Sequence, residues 1–434
     1  MPRQQLVSAL DIGTDKVVTL IADVSEGKQN IRVLGVSSVA SKGMRKSQIV
    51  DLHSAVEAIT ESVDAAERMA GVNIQQAYVS VGGITIQSQN SKGVVAVAQP
   101  NQEITGEDVA RVIDAAKAVS LPTGKEIIHI IPKNFRVDSQ DGIRDPIGMS
   151  GIRLEAEAHI ITASSVVLKN IEKCINEMGI TVREFVFSGL ASSQAVLTET
   201  EKELGVILVD IGAGTTSLTA FVEGSPEFSA VLPVGARHIT QDIALGCQVS
   251  LQSAEIIKLK LGSIPDSPVA LTGESKEDAR KRRKKEDAID IKMLGIAENI
   301  PPLSRKVLFE RIVIPRMQEM FTLIGKELEK QKLFNAIPAG VVLTGGGAET
   351  AYIDDVCKRT LQLSTRVGIP HGFQGLIDEV EKPAYSTSLG LLLHGAGKGV
   401  ETVQRSGLSI PNPFSGGVDQ LPRKFAELLK SLLP

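Results

Sequence analysis

The chain has 434 residues, 42% of them hydrophobic and 23% charged, with a formal net charge of −4. That length exceeds what one core organises and points to two or more lobes, while the slightly acidic balance argues against a general nucleic-acid binder. No run reaches about 18 consecutive apolar residues and the first residues lack the apolar core of a signal peptide, so the expectation is a cytoplasmic protein. The three cysteines, Cys174, Cys247 and Cys357, lie far apart, and the six histidines form no ligand pattern, so reduced thiols are expected and no metal motif is legible.

In chain order, Leu6 to Leu10 and Val17 to Val24 read as a hairpin, with a third strand at Ile31 to Ser38. A helix follows from Asp51 to Ala70, its apolar positions Val56, Ile59, Val63 and Met69 at helical spacing and Gly71 ending it. A strand at Ala77 to Val81 runs into Gly82-Gly83. From Ile84 to Ile161 the pattern becomes a small α+β unit, read as an insertion. It has strands at Ile84 to Gln87 and Gly93 to Val97, a helix opened by Thr105 with Asp108 as capping box, and strands at Glu126 to Val137 and Ile152 to Thr162.

A helix from Ser165 to Met178, a strand at Val182 to Val186 and a small-residue helix from Ser188 to Thr198 lead to a second hairpin, Gly205 to Pro226, which repeats the plan of residues 6 to 24. A helical subregion, Ile239 to Leu333, contains the basic run Arg280 to Lys285, read as a solvated loop, an electrostatic dock for an acidic partner or a contact for anionic lipid. Then come a strand at Gly340 to Leu343, the turn Gly345-Gly346-Gly347, a helix, and a last glycine-rich helix at Ser386 to Gly397. Residues 399 to 419, rich in Gly, Ser, Pro and Asn, read as a flexible linker.

The final segment carries Leu421, Phe425, Leu428, Leu429, Leu432 and Leu433 on one helical stripe, with Arg423, Lys424 and Lys430 nearby. A short amphipathic helix on a tether is the pattern of an interfacial membrane anchor that binds weakly alone and firmly when many copies engage together.

Chemistry concentrates at three glycine loops. Leu10-Asp11-Ile12-Gly13-Thr14-Asp15-Lys16 and Val209-Asp210-Ile211-Gly212-Ala213-Gly214-Thr215-Thr216 each place an Asp at a strand end and a Gly in the turn. Main-chain N–H groups and the Thr14, Thr215 and Thr216 hydroxyls then face an anion. Strand-end carboxylates such as Asp11 and Asp210 suit a hydrated Mg²⁺. Val342-Leu343-Thr344-Gly345-Gly346-Gly347-Ala348 adds a flat backbone surface for a purine or sugar, and Glu255 and Lys258, one helical turn apart, suit ribose hydroxyls and the adenine edge or a solvated ion pair.

These three loops and the connecting helices Ser188 to Leu197 and Lys382 to Leu393 resemble those of the actin-like ATPase superfamily, and within it most closely the FtsA family of bacterial cell-division proteins. The resemblance extends over nearly the whole chain. It implies an α/β, two-lobed actin-like (ribonuclease H-like, duplicated) fold with an inserted α+β subdomain, ATP and Mg²⁺ in the cleft, and Gly235 among the nucleotide contacts. It divides the chain into subdomain 1A (residues 1–83, 162–190 and 386–398), 1C (84–161), 2A (191–245 and 325–385) and 2B (246–324), followed by the linker 399–419 and the helix 420–434. It further implies self-assembly, recruitment of the tubulin-like FtsZ through 2B, contacts of later division proteins with 1C, and a peripheral place at the division septum on the cytoplasmic face of the inner membrane. The group that orients water for hydrolysis is Gln194 by likeness to actin or Ser188 by likeness to MreB. No Asp or Glu lies between Ser188 and Leu197, so at most slow turnover is expected. A PilM-like pilus-assembly ATPase is the alternative within the superfamily, and a small-molecule kinase is the alternative outside filament biology.

Overall fold

The computed structural model describes residues 5–28, 30–98, 103–261, 300–376 and 380–398, with isolated positions between 275 and 298. The expected linker 399–419, the amphipathic segment 420–434 and, Arg282 apart, the basic run lie outside the described residues.

In the first lobe β1 (Leu6–Ile12) and β2 (Lys16–Asp23) form the expected hairpin, in register from Leu6 opposite Asp23 to Ile12 opposite Val17, and β3 (Ile31–Ala40) adds antiparallel to β2. Helix α1 (Leu52–Ala70) starts at Asp51, whose carboxylate accepts the Ser54 N–H, and ends at Gly71 in the left-handed region. Its inner face is rotated from the expected stripe: Ile59 and Val63 are buried together with Ala55, Ala58 and Ala66, whereas Met69 is 54% exposed. Small residues let the helix lie close on the sheet. Strand β4 (Gln76–Val81) then pairs parallel to β1.

The insertion is one antiparallel sheet backed by one helix. The two short strands expected at Ile84 to Gln87 and Gly93 to Val97 are instead a single strand, β5 (Gln87–Ala96). Its polar sequence lacks an apolar alternation because part of it meets the other lobe through hydrogen bonds. Helix α2 (Gly106–Lys117) carries the Thr105/Asp108 capping box, and β6 (Lys125–Val137), β7 (Gln140–Ile143) and β8 (Arg153–Ser164) complete the order β5-β8-β6-β7. Val97, Ile104, Val112, Phe135 and Leu154 form its own small core.

After α3 (Ser165–Asn176), β9 (Thr181–Phe187), α4 (Ser188–Val196) and α5 (Glu199–Leu204), the second lobe opens with β10 (Val206–Ile211), β11 (Thr216–Val222) and β12 (Ser225–Leu232). Helices α6 (Ala236–Cys247), α7 (Leu251–Leu261) and α8 (Ile314–Lys330) follow, then β13 (Val341–Thr344), α9 (Ile353–Leu361), β14 (Thr365–Val367), β15 (Phe373–Gly375) and α10 (Ser386–Gly397). The sheet orders are β9-β4-β1-β2-β3-β15 and β12-β11-β10-β13-β14. Each lobe therefore places its first strand between an antiparallel hairpin partner and a parallel strand. This is the duplicated, two-lobed actin-like architecture. Helices α4 and α10 cross where Gly390 meets the Ala191 carbonyl so closely that a Cβ there would overlap it.

The insertion reaches across to the second lobe. Ser88 Oγ donates to the Ser229 carbonyl (2.7 Å) and accepts the Ser229 N–H (2.9 Å), and buried His159 bridges Asn90 (2.7 Å) and Ser229 Oγ (3.0 Å). Lys133 pairs with Glu157 at 3.1 Å and with Glu227 of β12.

Candidate functional site

The two hairpin turns close alike. Gly13 N–H donates to the Lys16 carbonyl (3.0 Å) and Gly212 N–H to that of Thr215 (2.9 Å). They face one another through Ser47, whose N–H donates to Thr14 Oγ1 (2.9 Å) and whose hydroxyl lies 3.2 Å from Thr215 Oγ1. Between them is a cleft of about 310 Å³, within the range of roughly 300–1,000 Å³ usual for small-molecule sites.

At its base stand the two strand-end aspartates. Asp11 accepts from Ser80 Oγ (2.7 Å), and Asp210 Oδ2 accepts from Ser192 Oγ (2.5 Å) and Thr387 Oγ1 (3.0 Å). Burial pushes the Asp210 carboxyl up to about 6 against those two hydrogen bonds, and the charge of Asp11 adds to the rise. Burial also raises Asp11, opposed by Ser80 and by the Lys16 charge. Two carboxyls that burial keeps from ionising, one of them further disfavoured by the other's charge, form a site with an electrostatic demand for a cation.

A second group of residues lines the cleft from the second lobe. Lys258, 9% exposed, holds Glu255 (2.8 Å) and Thr240 Oγ1 (3.1 Å), so the pair is a cleft feature and not a solvated surface bridge. The turn Gly345 to Gly347 is fixed by the Gly345 N–H on the Pro383 carbonyl (3.1 Å). Gly345 has φ +80, and a Cβ on it would overlap Asp210 Oδ1. Lys16 sits 3.6 Å over the Tyr385 ring.

Asp11, Gly13, Thr14, Asp15, Lys16, Asp210, Gly212, Ala213, Gly214, Thr215, Glu255, Lys258, Gly345, Gly346 and Gly347 line this one cleft. Four expected positions do not. Thr216 is buried with its hydroxyl on the Val234 carbonyl (2.8 Å), and Ala348 is buried with its N–H on the Gly345 carbonyl (3.0 Å). Gly235 lies behind the second loop, where a Cβ would stand 2.5 Å from the Gly212 carbonyl. Gln194 is turned away, its amide 3.3 Å from His394 Nδ1, whereas Ser188 lines the cleft and lies 3.0 Å from Ser217 Oγ. Ser188 and Ser192 are one helical turn apart and share the inward face of α4; Gln194 is two residues past Ser192, on another face. The expected membrane residues, Leu421, Arg423, Lys424, Phe425, Leu428, Leu429, Lys430, Leu432 and Leu433, lie outside the described residues.

Sequence reading missed Ser47, Ser80, Ser217, Arg237, Glu349 and Thr387, all of which line the cleft. They come from strands, loops and the first turns of helices, without a motif of their own. The one available signal was polarity inside apolar runs, as at Ser80 in Tyr-Val-Ser-Val.

A family model of the SHS2 domain inserted in FtsA matches residues 83–162, and a model of cell division protein FtsA matches residues 207–390. The chain is 37% identical over 424 residues to cell division protein FtsA of Pseudomonas aeruginosa, covering 96% of this chain and 97% of that one. The chain belongs to the FtsA family. FtsA of Escherichia coli K12 is 35% identical over 402 residues, 90% of each chain. In fold the chain also resembles the PilM-PilN type IV pilus biogenesis complex, at 14% identity and a TM-score of 0.60, over 91% of this chain and 99% of that one. Family membership assigns this FtsA homologue an actin-like role in cell division, and with it the reading as a pilus-assembly protein is set aside. Among the described residues no helix is long and apolar enough to cross a membrane.

Proposed function

We propose that this FtsA homologue binds ATP with Mg²⁺ in its cleft, assembles with copies of itself and ties the FtsZ ring to the cytoplasmic face of the membrane. The observation that carries the nucleotide reading is the pair of pseudo-symmetric loops, Gly13–Lys16 and Gly212–Thr215, closed by the same hydrogen bond and facing each other through Ser47. Asp11 and Asp210 would hold the Mg²⁺ through its waters, and the raised Asp210 carboxyl is the local sign that a cation fits there. When bound, Mg²⁺ neutralises phosphate charge. Thr14, Thr215 and the loop N–H groups orient the phosphates, Glu255 and Lys258 the ribose, and Gly345 to Gly347 the purine face. No carboxylate on α4 serves as base; Ser188 is the group we assign to water orientation, which fits slow turnover and a nucleotide that acts on assembly.

For the partner, a groove between α6 and α8 sets Leu245 and Ile312 beside Arg311, and we assign the FtsZ contact to this surface and the adjoining residues 246–324. Later division proteins are assigned to 84–161, and the membrane contact to the apolar stripe Leu421 to Leu433 with its basic neighbours. Cosedimentation with anionic liposomes, with and without ATP and FtsZ, tests the whole reading. Removing residues 421–434, or Phe425→Glu, is expected to abolish liposome binding while nucleotide binding persists; Leu245→Glu is expected to lose FtsZ but not lipid. Unchanged sedimentation of the shortened chain would refute the anchor.

A further inference from the structure

Among the described residues three cations line the cleft, and they are held very differently. Lys258 is buried on Glu255 and Thr240. Lys16 rests on the Tyr385 ring. Arg237, in the first turn of α6, is half exposed and reaches across the cleft to Asp15 of the first loop, 4.0 Å away. Asp15 stands at the loop position that Gly214 occupies in the second hairpin, so the first loop carries an anion where its counterpart has no side chain. An acidic group on a phosphate loop opposes an anionic ligand unless something neutralises it.

The start of α6 offers its main chain to the loop, not to a ligand: Ala236 N–H donates to the Gly212 carbonyl and Arg237 N–H to the Ala213 carbonyl, both at 2.9 Å. What the helix contributes to the cleft at this point is therefore the Arg237 guanidinium. Its resting pair is exposed and long, which makes it weak and readily given up. A guanidinium is also the side chain best shaped to take two oxygens of one phosphate.

We propose that Arg237 is the residue that distinguishes nucleoside triphosphate from diphosphate: it leaves Asp15 for the outermost phosphate, which joins the two lobes across the mouth of the cleft. Asp15 is its resting partner and holds the guanidinium across the cleft when that phosphate is missing. The inference rests on the nucleotide reading of the cleft.

The test is the affinity of the full chain for ATP and for ADP, each with Mg²⁺, in the parent, Arg237→Ala, Asp15→Asn and the double variant. Arg237→Ala is expected to lose ATP affinity about tenfold with ADP changed less than threefold, and Asp15→Asn to tighten ATP a few-fold. The double variant is expected to keep the ATP loss. If Arg237 only masks Asp15, Arg237→Ala would weaken both nucleotides alike and the double variant would restore them, which overturns the proposal, as does no change in any variant. A parent chain that binds neither nucleotide would refute the reading of the cleft itself.

Discussion

Asp11 and Asp210 occupy one position in two copies of the same hairpin: each is the last but one residue of a first strand, opposite Val18 and Ser217 respectively, and each receives a hydroxyl from a neighbouring element, Ser80 or Ser192. Duplication has thus brought two like charges together at the base of the cleft. Their ionisation is a cost of the empty protein.

Asp210→Asn should therefore separate stability from function. With its carboxyl pushed up to about 6, Asp210 contributes a penalty that grows as pH rises from 3.8 through about 6 and is fully present at pH 7.5. The neutral variant is expected to match or exceed the parent in unfolding free energy at that pH, by on the order of 1–3 kcal/mol, and to lose Mg²⁺-dependent ATP binding. A variant both less stable and still binding would show that the carboxylate is structural.

The turn after β13 makes a sharper contrast. Gly345→Ala forces an L-residue to φ +80 and drives its Cβ into Asp210, so it is expected to lower stability by about 2 kcal/mol or more and perturb the cleft together. At Gly346 a Cβ meets nothing closer than Ala384 Cβ at 3.8 Å, and the residue lines the cleft. Gly346→Val is expected to leave the melting temperature within about 2 °C of the parent while nucleotide affinity falls at least tenfold. Retained affinity in Gly346→Val would mean that the purine does not lie on this turn.

The hairpins, α1 and the Thr105 capping box were legible because their signals are local: alternation, cap residues, glycine stops. Strand β5 was not, since Gln87-Ser-Gln-Asn-Ser-Lys reads as polar loop until Ser88 and Asn90 are seen gripping β12. Helix α5 is absent from the sequence reading although its Thr198/Glu201 box is plain there, because the small-residue helix is carried to Thr198, the cap itself, and residues 199–204 are left between it and the hairpin. Within the site, both loops and the Gly345 turn announced themselves. Ser80, Thr387 and Arg237 did not, for each reaches the cleft only through pairings distant in the chain. Gln194 was nominated by likeness alone, and helical phase puts it on another face than Ser188.

That phase difference yields a direct comparison. Ser188→Ala is expected to lower ATP turnover several-fold with nucleotide affinity nearly unchanged, and Gln194→Ala to leave turnover alone while loosening the packing around His394. Single-turnover measurements on both variants decide between them; loss of turnover in Gln194→Ala would reverse the assignment.

Acid should weaken the protein through two buried histidines. Burial pushes His129 down to about 4, with the charges of His394 and Lys398 lowering it further against Glu184, and pushes His159 down to about 3. Unfolded histidines take up a proton near 6.5 while these stay neutral in the native chain, so the unfolded state binds more protons below 6.5 and stability falls as pH drops. The limiting slope is about 1.4 kcal/mol per pH unit for each histidine. Below about 6 the raised Asp210 carboxyl takes up a proton in the native chain and opposes this slope, so the measurement is urea unfolding of Asp210→Asn at several pH values between 7.5 and 5, where the decline is expected and His159→Gln is expected to remove about half of it. A flat profile in Asp210→Asn would refute the assignment.

Lys133 carries the last test, because it joins the insertion to the second lobe by charge. It is 11% exposed, and although burial lowers its pKa, the hydrogen bonds and charges of Glu227 and Glu157 outweigh that and raise it. Lys133→Met keeps the stem and leaves two carboxylates facing each other at the junction, so a loss of about 1–3 kcal/mol is expected, with faster hydrogen exchange concentrated in β12 and β5. Adding Glu227→Gln should recover part of that loss by removing the facing charge. If instead Lys133→Met is neutral and β12 exchanges as before, the insertion is held without that ion pair, by the Ser88, Asn90 and His159 hydrogen bonds, the Ser225 hydroxyl on the Lys133 carbonyl (3.2 Å) and the Arg144–Glu203 pair (2.7 Å).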